Sequence, residues 1–261
     1  MRKLTDWLSR RRPNQVPEPR RRRIDLGPNP PGYPIYVIGD VHGCINELKD
    51  AEARIAADIQ ATERSGLVIL LGDYIDRGPS SRHVLEHLIR PSELGLKRLP
   101  LCGNHDDVFS RFLREPELYT EWLGLGGEQT LISYGIDLQH LSSRQKGRGA
   151  KLGELLTEAV PISHRQFLFE LPICLKIGDM LFVHAGVRPG IPLDEQDDED
   201  LLWIREPFLT SGPQIPLLVV HGHTPTAEPD IGPGRIGIDT GAYYTGRLSV
   251  LKMDGGQAAI L

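Results

Sequence analysis

The sequence predicts an α/β protein whose short buried strands alternate with amphipathic helices and carry polar groups at their C-terminal ends. Three observations carry this prediction. The apolar runs Ile35-Tyr36-Val37-Ile38, Leu67-Val68-Ile69-Leu70-Leu71 and Leu217-Leu218-Val219-Val220 are too short for buried helices and are bounded by glycine or proline. Between the first two, Ile45, Leu48, Ile55 and Ile59 recur at helical spacing. Each run stops beside a glycine and an Asp or His, and in an open α/β sheet ligands bind outside the carboxyl ends of strands.

The chain of 261 residues suffices for one large domain with a substantial core. Its hydrophobic and charged fractions, 39% and 25%, are those of a globular protein, and no apolar run approaches the roughly 18 residues of a membrane span. The basic N-terminus lacks the apolar stretch and small-residue cleavage site of a secretory signal, so the cytoplasm is the expected location. Cys44, Cys102 and Cys174 are odd in number and form no C-x-x-C pair; they are expected to be buried thiols.

The net charge of −5 conceals an asymmetry. Residues 1–23 hold nine Lys and Arg against Asp6 and Glu18, leaving 21 basic against 33 acidic residues, a net −12, in the remainder. With six prolines besides, residues 1–32 are expected to form an extended or disordered basic tail rather than core. Met1, Leu4, Trp7 and Leu8 recur at helical spacing in it, so contact with an acidic partner or an anionic surface is conceivable beside simple solvation. Arginine clusters attract any polyanion, but no base-reading motif accompanies them, so no specific nucleic-acid partner is expected. Residues 33–261 are then a single catalytic domain.

Order begins at Ile35 and runs into Gly39-Asp40-Val41-His42-Gly43. If the extended backbone continues, Asp40 and His42 face the same way and can offer two ligands to one ion. The second run delivers Gly72-Asp73-Tyr74-Ile75-Asp76-Arg77-Gly78, and a helix with Val84, Leu85, Leu88 and Ile89 inward follows. His83 and His87 have the i, i+4 spacing of zinc ligands, but nothing beside them supplies the acid or third ligand such a site requires, and they are read as helix residues. A strand near Leu99–Cys102 ends in Gly103-Asn104-His105-Asp106. Residues of about 107–170 read as a helical insertion without a catalytic constellation, with His140 and His164 as surface or capping residues. Pro172–Ile177 and Met180–Val183 form a hairpin about Gly178-Asp179 and lead to His184-Ala185-Gly186. The acidic loop Asp194–Asp200 is expected to be solvated or to cap a helix; Leu202-Trp203-Ile204 then delivers Arg205. The strand at Leu217 ends in His221-Gly222-His223-Thr224, and strands are expected near Ile236–Asp239, Leu248–Lys252 and Ala258–Leu261.

Five segments thus place Asp, Asn or His just beyond a strand, more than helix capping and core histidines explain together. Histidine and carboxylate donors without cysteine suit Mn²⁺, Fe or Zn²⁺. Ligands drawn from several strand ends suggest a two-metal centre, whose general use is to clamp a phosphoryl group and activate water.

Together, Gly39–Gly43, Gly72–Gly78, Gly103–His105, His184–Gly186 and His221–Thr224 resemble the ordered motifs of the calcineurin-like metallophosphoesterases. More narrowly they resemble the compact bacterial and bacteriophage branch of the metal-dependent phosphoprotein phosphatases. The resemblance runs from about residue 34 to about residue 252. It implies a two-sheet β-sandwich flanked by helices, and two divalent cations, expected to be Mn²⁺. Asp40 and His42 would hold one, Asp73 would bridge both, and Asn104, His184 and one histidine of the His221/His223 pair would hold the other, with His223 the better match. It also implies in-line attack by a metal-bridging hydroxide, His105 as general acid, Asp76 as the group orienting it, and Arg77 and Arg205 as phosphate-binding arginines. Asp106, where eukaryotic members usually have glutamate, and Ala185, where they have glycine, point to the bacterial branch.

The expected activity is phosphomonoester hydrolysis on phosphoserine and phosphothreonine of a protein or peptide, with phosphotyrosine also open. A symmetrical bis(5'-nucleosyl)-tetraphosphatase ranks lower, since no adenine-stacking residue is evident. A third reading, from another class, is a metal-binding scaffold without catalysis.

Overall fold

The computed structural model describes residues 20–138 and 148–261. Strands β2 (Ile35–Ile38), β3 (Leu67–Leu70) and β4 (Lys97–Pro100) run parallel, with Ile35 opposite Leu67 and Leu67 opposite Lys97. Helices α1 (Ile45–Thr62) and α2 (Ser81–Ile89) make the crossovers, burying Leu48, Ala51 and Ile55 on the first and Val84, Leu85 and Leu88 on the second. Antiparallel β10 (Val250–Asp254) and β11 (Gln257–Ile260) complete a sheet of order β11-β10-β2-β3-β4.

The second sheet contains β1 (Arg23–Asp25), β5 (Cys174–Ile177), β6 (Met180–Val183), β7 (Leu218–His221), β8 (Asp230–Gly232) and β9 (Arg235–Gly237), in the order β1-β5-β6-β7-β9-β8. The expected hairpin is β5–β6, with Ile177 opposite Met180. The two-residue alternation of the strands explains the layering: Ile35, Val37, Ile69, Phe182 and Val220 fill the space between the sheets. Tyr36, Ile38, Val68, Leu70 and Val183 belong to a second core with the helices. Because both faces are covered, these strands read as continuous apolar runs instead of alternating ones.

After β4, helix α3 (Asn104–Arg114) leads into the helical insertion, which continues with a 3₁₀ turn Thr120–Leu125, α4 (Gly127–Ser133) and helices Arg148–Ala159 and Ile162–Glu170. Cys44, Cys102 and Cys174 are buried free thiols, and burial pushes Cys44 up to about 11. Among the described residues no helix is long and apolar enough to cross a membrane.

Several local expectations are corrected. The ordered chain begins well before residue 33: β1 pairs in parallel with β5, Arg23 opposite Cys174. Arg21 donates to Asp107 at 2.9 Å, while the Arg21 backbone N–H and the Arg23 guanidinium donate to Asp198 at 2.7 and 2.9 Å. The acidic loop is therefore a docking partner of the basic segment, and charge complementarity orders residues that composition assigned to a tail. The helical spacing of Met1, Leu4, Trp7 and Leu8, and His140, lie outside the described residues. His164 is buried against the Tyr134 hydroxyl at 2.7 Å, neither surface nor cap. His87 has an acid after all, since Glu52 of α1 lies 2.7 Å from its Nε2 and also accepts from Arg98. Strand β4 ends at Pro100, two residues earlier than expected.

Candidate metal centre

The C-terminal ends of β2, β3, β6 and β7, with the first residues of α3 after β4, converge on Asp73. Its two oxygens look in different directions. Oδ2 lies 3.4 Å from His42 Nε2 and 3.9 Å from His105 Nε2, whereas Oδ1 lies 3.5 Å from His184 Nε2 and accepts the His105 backbone N–H at 3.0 Å. Donor atoms of His42, Asp73 and His105 fall within 4.8 Å of one another, and so do those of Asp40, Asp73 and His184. One carboxylate thus belongs to both triads. Two glycines permit this closeness: a Cβ on Gly103 would stand 2.2 Å from Asp73 Oδ1, and one on Gly222 would stand 1.9 Å from Asp40 Oδ1.

Asp40 and His42 both reach the centre, though not along a continued strand. Strand β2 stops at Ile38 and His42 sits in the left-handed region at φ 43°. Its Nδ1–H donates to the Ile75 carbonyl at 2.8 Å, which directs Nε2 inward. His184 is fixed the same way by the Leu71 carbonyl at 3.0 Å, and its Nε2 faces Asn104 Oδ1 at 2.7 Å. His223 donates its backbone N–H to Asp40 Oδ2 and places Nδ1 2.9 Å from the same Asn104 oxygen. His221, two residues earlier, points elsewhere: its ring packs edge-on against Phe208 and beside Gly237. Asn104, His184 and His223 therefore come together, and His221 does not join them.

On the other side of Asp73, His105 Nδ1–H donates to Asp76 at 2.6 Å. Asp76 is fully buried and held by two further donors, Trp122 Nε1 and Thr130 Oγ1, each at 2.7 Å. Arg77 reaches with one guanidinium nitrogen to His42 Nε2, 2.8 Å, and with the other to His105 Nε2, 3.0 Å. Arg205 is exposed at the end of helix Asp198–Trp203, within electrostatic reach of His223 but without a side-chain contact to the centre.

Of the seven non-glycine residues with positive φ among those described, five are His42, Asp73, Asp76, Arg77 and His223. Such residues are uncommon, and their concentration here places backbone strain where side chains must converge.

The electrostatics separate the histidines into two kinds. Burial depresses His42 to about 3 and carries His184 and His223 below the ordinary histidine value, so they present neutral imidazoles, the ligand form. Burial also acts against charge on His105, but Asp73 and the hydrogen bond to Asp76 outweigh it and raise that group. Burial, with Asp239 and Asp73 alongside, raises Asp40 well above the carboxylate range. Three buried carboxylates crowded together call for cationic charge between them.

The donors fit divalent cations. Asp40 Oδ1 and His223 Nε2 are buried without a hydrogen-bond partner. Because His184 commits Nδ1–H to Leu71, its Nε2 meets Asn104 Oδ1 as one lone pair facing another, and a shared cation resolves that repulsion. Asp40, His42, Asp73, Asn104, His184 and His223 could hold the ions, an all-nitrogen and oxygen set.

Four further residues at the site were not singled out from sequence. Trp122 and Thr130 lie in the helical insertion, and no spacing links them to Asp76. Asp239 follows the run Arg235–Ile238 and adjoins Gly241, the pattern of the other five segments, so it could have been counted as a sixth; burial raises it to about 6. Tyr243, whose ring lies 5.7 Å from that of His42, carried no sequence signal.

A family model described as calcineurin-like phosphoesterase matches residues 33–253. An asymmetrical bis(5'-nucleosyl)-tetraphosphatase, PrpE, of Anoxybacillus flavithermus is 23% identical over 236 residues, covering 83% of this chain and 89% of that protein. The PrpE of Bacillus mycoides is 26% identical over 239 residues, with 83% and 89% covered. Among solved structures, one provisionally named a diadenosine tetraphosphatase superposes with a TM-score of 0.62 at 23% identity, covering 93% of this chain and 98% of that one. The chain belongs to the calcineurin-like phosphoesterase family, and its two-sheet α/β sandwich is that of its structural neighbours.

Proposed function

We propose that this calcineurin-like phosphoesterase hydrolyses dinucleoside tetraphosphates asymmetrically, releasing a nucleoside monophosphate and a nucleoside triphosphate, with two divalent cations bound about Asp73. The observation that carries the hydrolytic part is the sharing of the Asp73 carboxylate between two buried donor triads. The substrate class is supported by relatives bearing that activity in their names across most of both chains. Manganese is the proposed metal; the thiolate-free donor set suits Fe or Zn²⁺ as well.

The cations, when bound, would polarise a phosphoryl group and lower the pKa of water. The chain's own residues do the rest. The Arg77 fork reaches both His42 and His105 and is suited to orient two phosphoryl oxygens. His105, held by Asp76, presents Nε2 toward the centre and would protonate a departing oxygen. Trp122 and Thr130 fix Asp76, so the imidazole cannot rotate away. Arg205 is the proposed second phosphate contact, near enough to act on His223.

This departs from the expectation from sequence, where a phosphoserine or phosphothreonine phosphatase stood first and the tetraphosphatase weighed against it was the symmetrical one. The deciding experiment incubates manganese-supplemented protein with diadenosine tetraphosphate and, separately, with a phosphothreonine peptide. Equal amounts of AMP and ATP are expected from the first, at a higher kcat/KM than peptide dephosphorylation. ADP as sole product would return the symmetrical reading, faster peptide turnover the protein phosphatase, and no turnover of either the scaffold. The buried free thiols support action in the cytoplasm.

A further inference from the structure

Two tyrosines stand on the rim of the centre. Tyr243 and Tyr244 occupy the short helix Ala242–Thr245 and are 42% and 58% exposed, although their rings meet edge to face at 4.8 Å. The Arg77 guanidinium carbon lies 5.1 Å from the centre of the Tyr243 ring, and Tyr243 also meets the His42 ring edge-on. The pair therefore adjoins a phosphate-orienting arginine and a metal-ligand candidate without being buried by either.

The turn that carries them is held by several contacts. Gly241 and Gly246 flank it with positive φ, and the Gly241 N–H is anchored on Asp239 at 2.9 Å. Thr245 Oγ1 donates to the carbonyls of Thr240 and Gly241 at 2.8 and 3.0 Å. The Tyr244 ring lies so close over Gly241 that a Cβ there would come within 2.2 Å of it. A fold that pins two aromatic rings yet leaves them half exposed at a site is holding contact area in reserve, and tyrosine does so with few rotatable bonds.

We propose that Tyr243 and Tyr244 form a stacking platform for the nucleobase of the nucleoside whose own phosphate is attacked, and so set the position of cleavage. The proposal rests on the dinucleoside reading above. Only a ribose separates a base from its 5'-phosphate, which matches a platform next to His42. In symmetrical cleavage an additional phosphate would separate the base from the attacked phosphorus and carry it past the rings. The step balances as a hydrolysis. Water oxygen bonds to the first phosphorus, the bond from that phosphorus to the oxygen bridging to the second phosphate breaks, and the departing triphosphate keeps the electron pair. The products are one monophosphate and one triphosphate, with the water protons shared among products and solvent.

The test compares the full-length manganese-loaded protein with Tyr244→Ala and Tyr244→Phe, using diadenosine tetraphosphate kinetics and competitive inhibition by AMP and by ribose 5-phosphate. Base stacking on an aromatic side chain leads us to expect that Tyr244→Ala raises the AMP inhibition constant and KM for the dinucleotide about tenfold. Tyr244→Phe should restore both, and the ribose 5-phosphate constant should change far less than that for AMP. Equal inhibition of the wild type by AMP and ribose 5-phosphate, or an unchanged AMP constant in Tyr244→Ala, would overturn the platform. A wild type that binds AMP more tightly than ribose 5-phosphate but fails to cleave the dinucleotide would overturn the dinucleoside reading while supporting base capture.

Discussion

The strand ends and the helical insertion contribute to the same centre in different ways. From the ends of β2, β3, β6 and β7 and the first residues of α3 come side chains that converge directly on Asp73, several from strained backbone positions. From the insertion come Trp122 and Thr130, which meet Asp76 and reach the reacting region only through His105. Strand ends place donor atoms; the insertion fixes the direction of one imidazole. Substitutions in the two regions should therefore fail differently.

The sharpest failure is expected at Asp73. Asp73→Asn keeps the shape but removes the charge shared by both triads, and should reduce metal content as well as lower turnover by about three orders of magnitude. Elemental analysis alongside steady-state kinetics checks both. Full activity with undiminished metal would break the distinction between strand-end and insertion residues.

Next in size is His105. General acid catalysis contributes about 10²–10⁴-fold, and most where the leaving group is a poor one. His105→Asn should therefore lose more turnover on an alkyl phosphomonoester than on diadenosine tetraphosphate, whose departing triphosphate is already a stabilised anion. A loss equal on both substrates would argue against proton donation by Nε2. Metal content should be retained, because every proposed metal ligand, His42 and Asp73 among them, remains.

A smaller effect is expected one step further out. Thr130→Val removes a hydroxyl that donates to Asp76 Oδ1 and accepts the Asp76 backbone N–H at 2.9 Å, with little change in shape. A hydrogen bond to a charged group contributes about 1.5–3 kcal/mol, so up to about tenfold to a hundredfold in kcat is at stake, with KM and metal content unchanged. Trp122→Phe should act in the same direction. Loss of metal in either variant would mean that the insertion builds the centre rather than orienting His105.

This difference also marks what could be read in the chain. Strand ends were legible because one short apolar run determines both the strand and the residue that follows it, as at Ile38-Gly39-Asp40 or Val183-His184. Asp239 escaped only because its strand was noticed and its carboxylate was not set beside the others. Trp122 and Thr130 were illegible for a physical reason: their partner Asp76 is 46 and 54 residues away, and the contact depends on how α4 and the 3₁₀ turn pack. The choice of His223 over His221 rested on its place before Thr224, while the geometry distinguishes them through the left-handed turn at His223.

Residues 20–25 show the same limit from the side of stability. Composition assigned them to a tail, but the deciding interaction is with acids far away in sequence. Arg21 is nearly buried, and besides Asp107 it donates to the carbonyls of Leu168, Phe169 and Leu171, tying β1 to α3 and helix Ile162–Glu170. Arg20 makes exposed contacts, donating to the Asp194 carbonyl at 3.1 Å and lying 3.7 Å from Asp197. Breaking a buried pair costs about 3–5 kcal/mol when a charge is left alone, but Asp107 keeps Arg111 at 2.7 Å, so Arg21→Met should cost nearer to about 2 kcal/mol. Arg20→Met should fall within about 0.5 kcal/mol of wild type. Burial opposes ionisation of Asp107, yet Arg111 and Arg21 together hold its carboxyl below the usual value. A depressed acid stabilises the fold above its unfolded-state pKa of about 3.9, and that contribution is lost as pH falls through the folded-state value. Urea unfolding should therefore show the full gap between wild type and Arg21→Met at pH 7 and a narrowing gap below about pH 4. A gap of the same size at pH 7 and in acid would mean that Arg21 acts through its carbonyl contacts and not through Asp107.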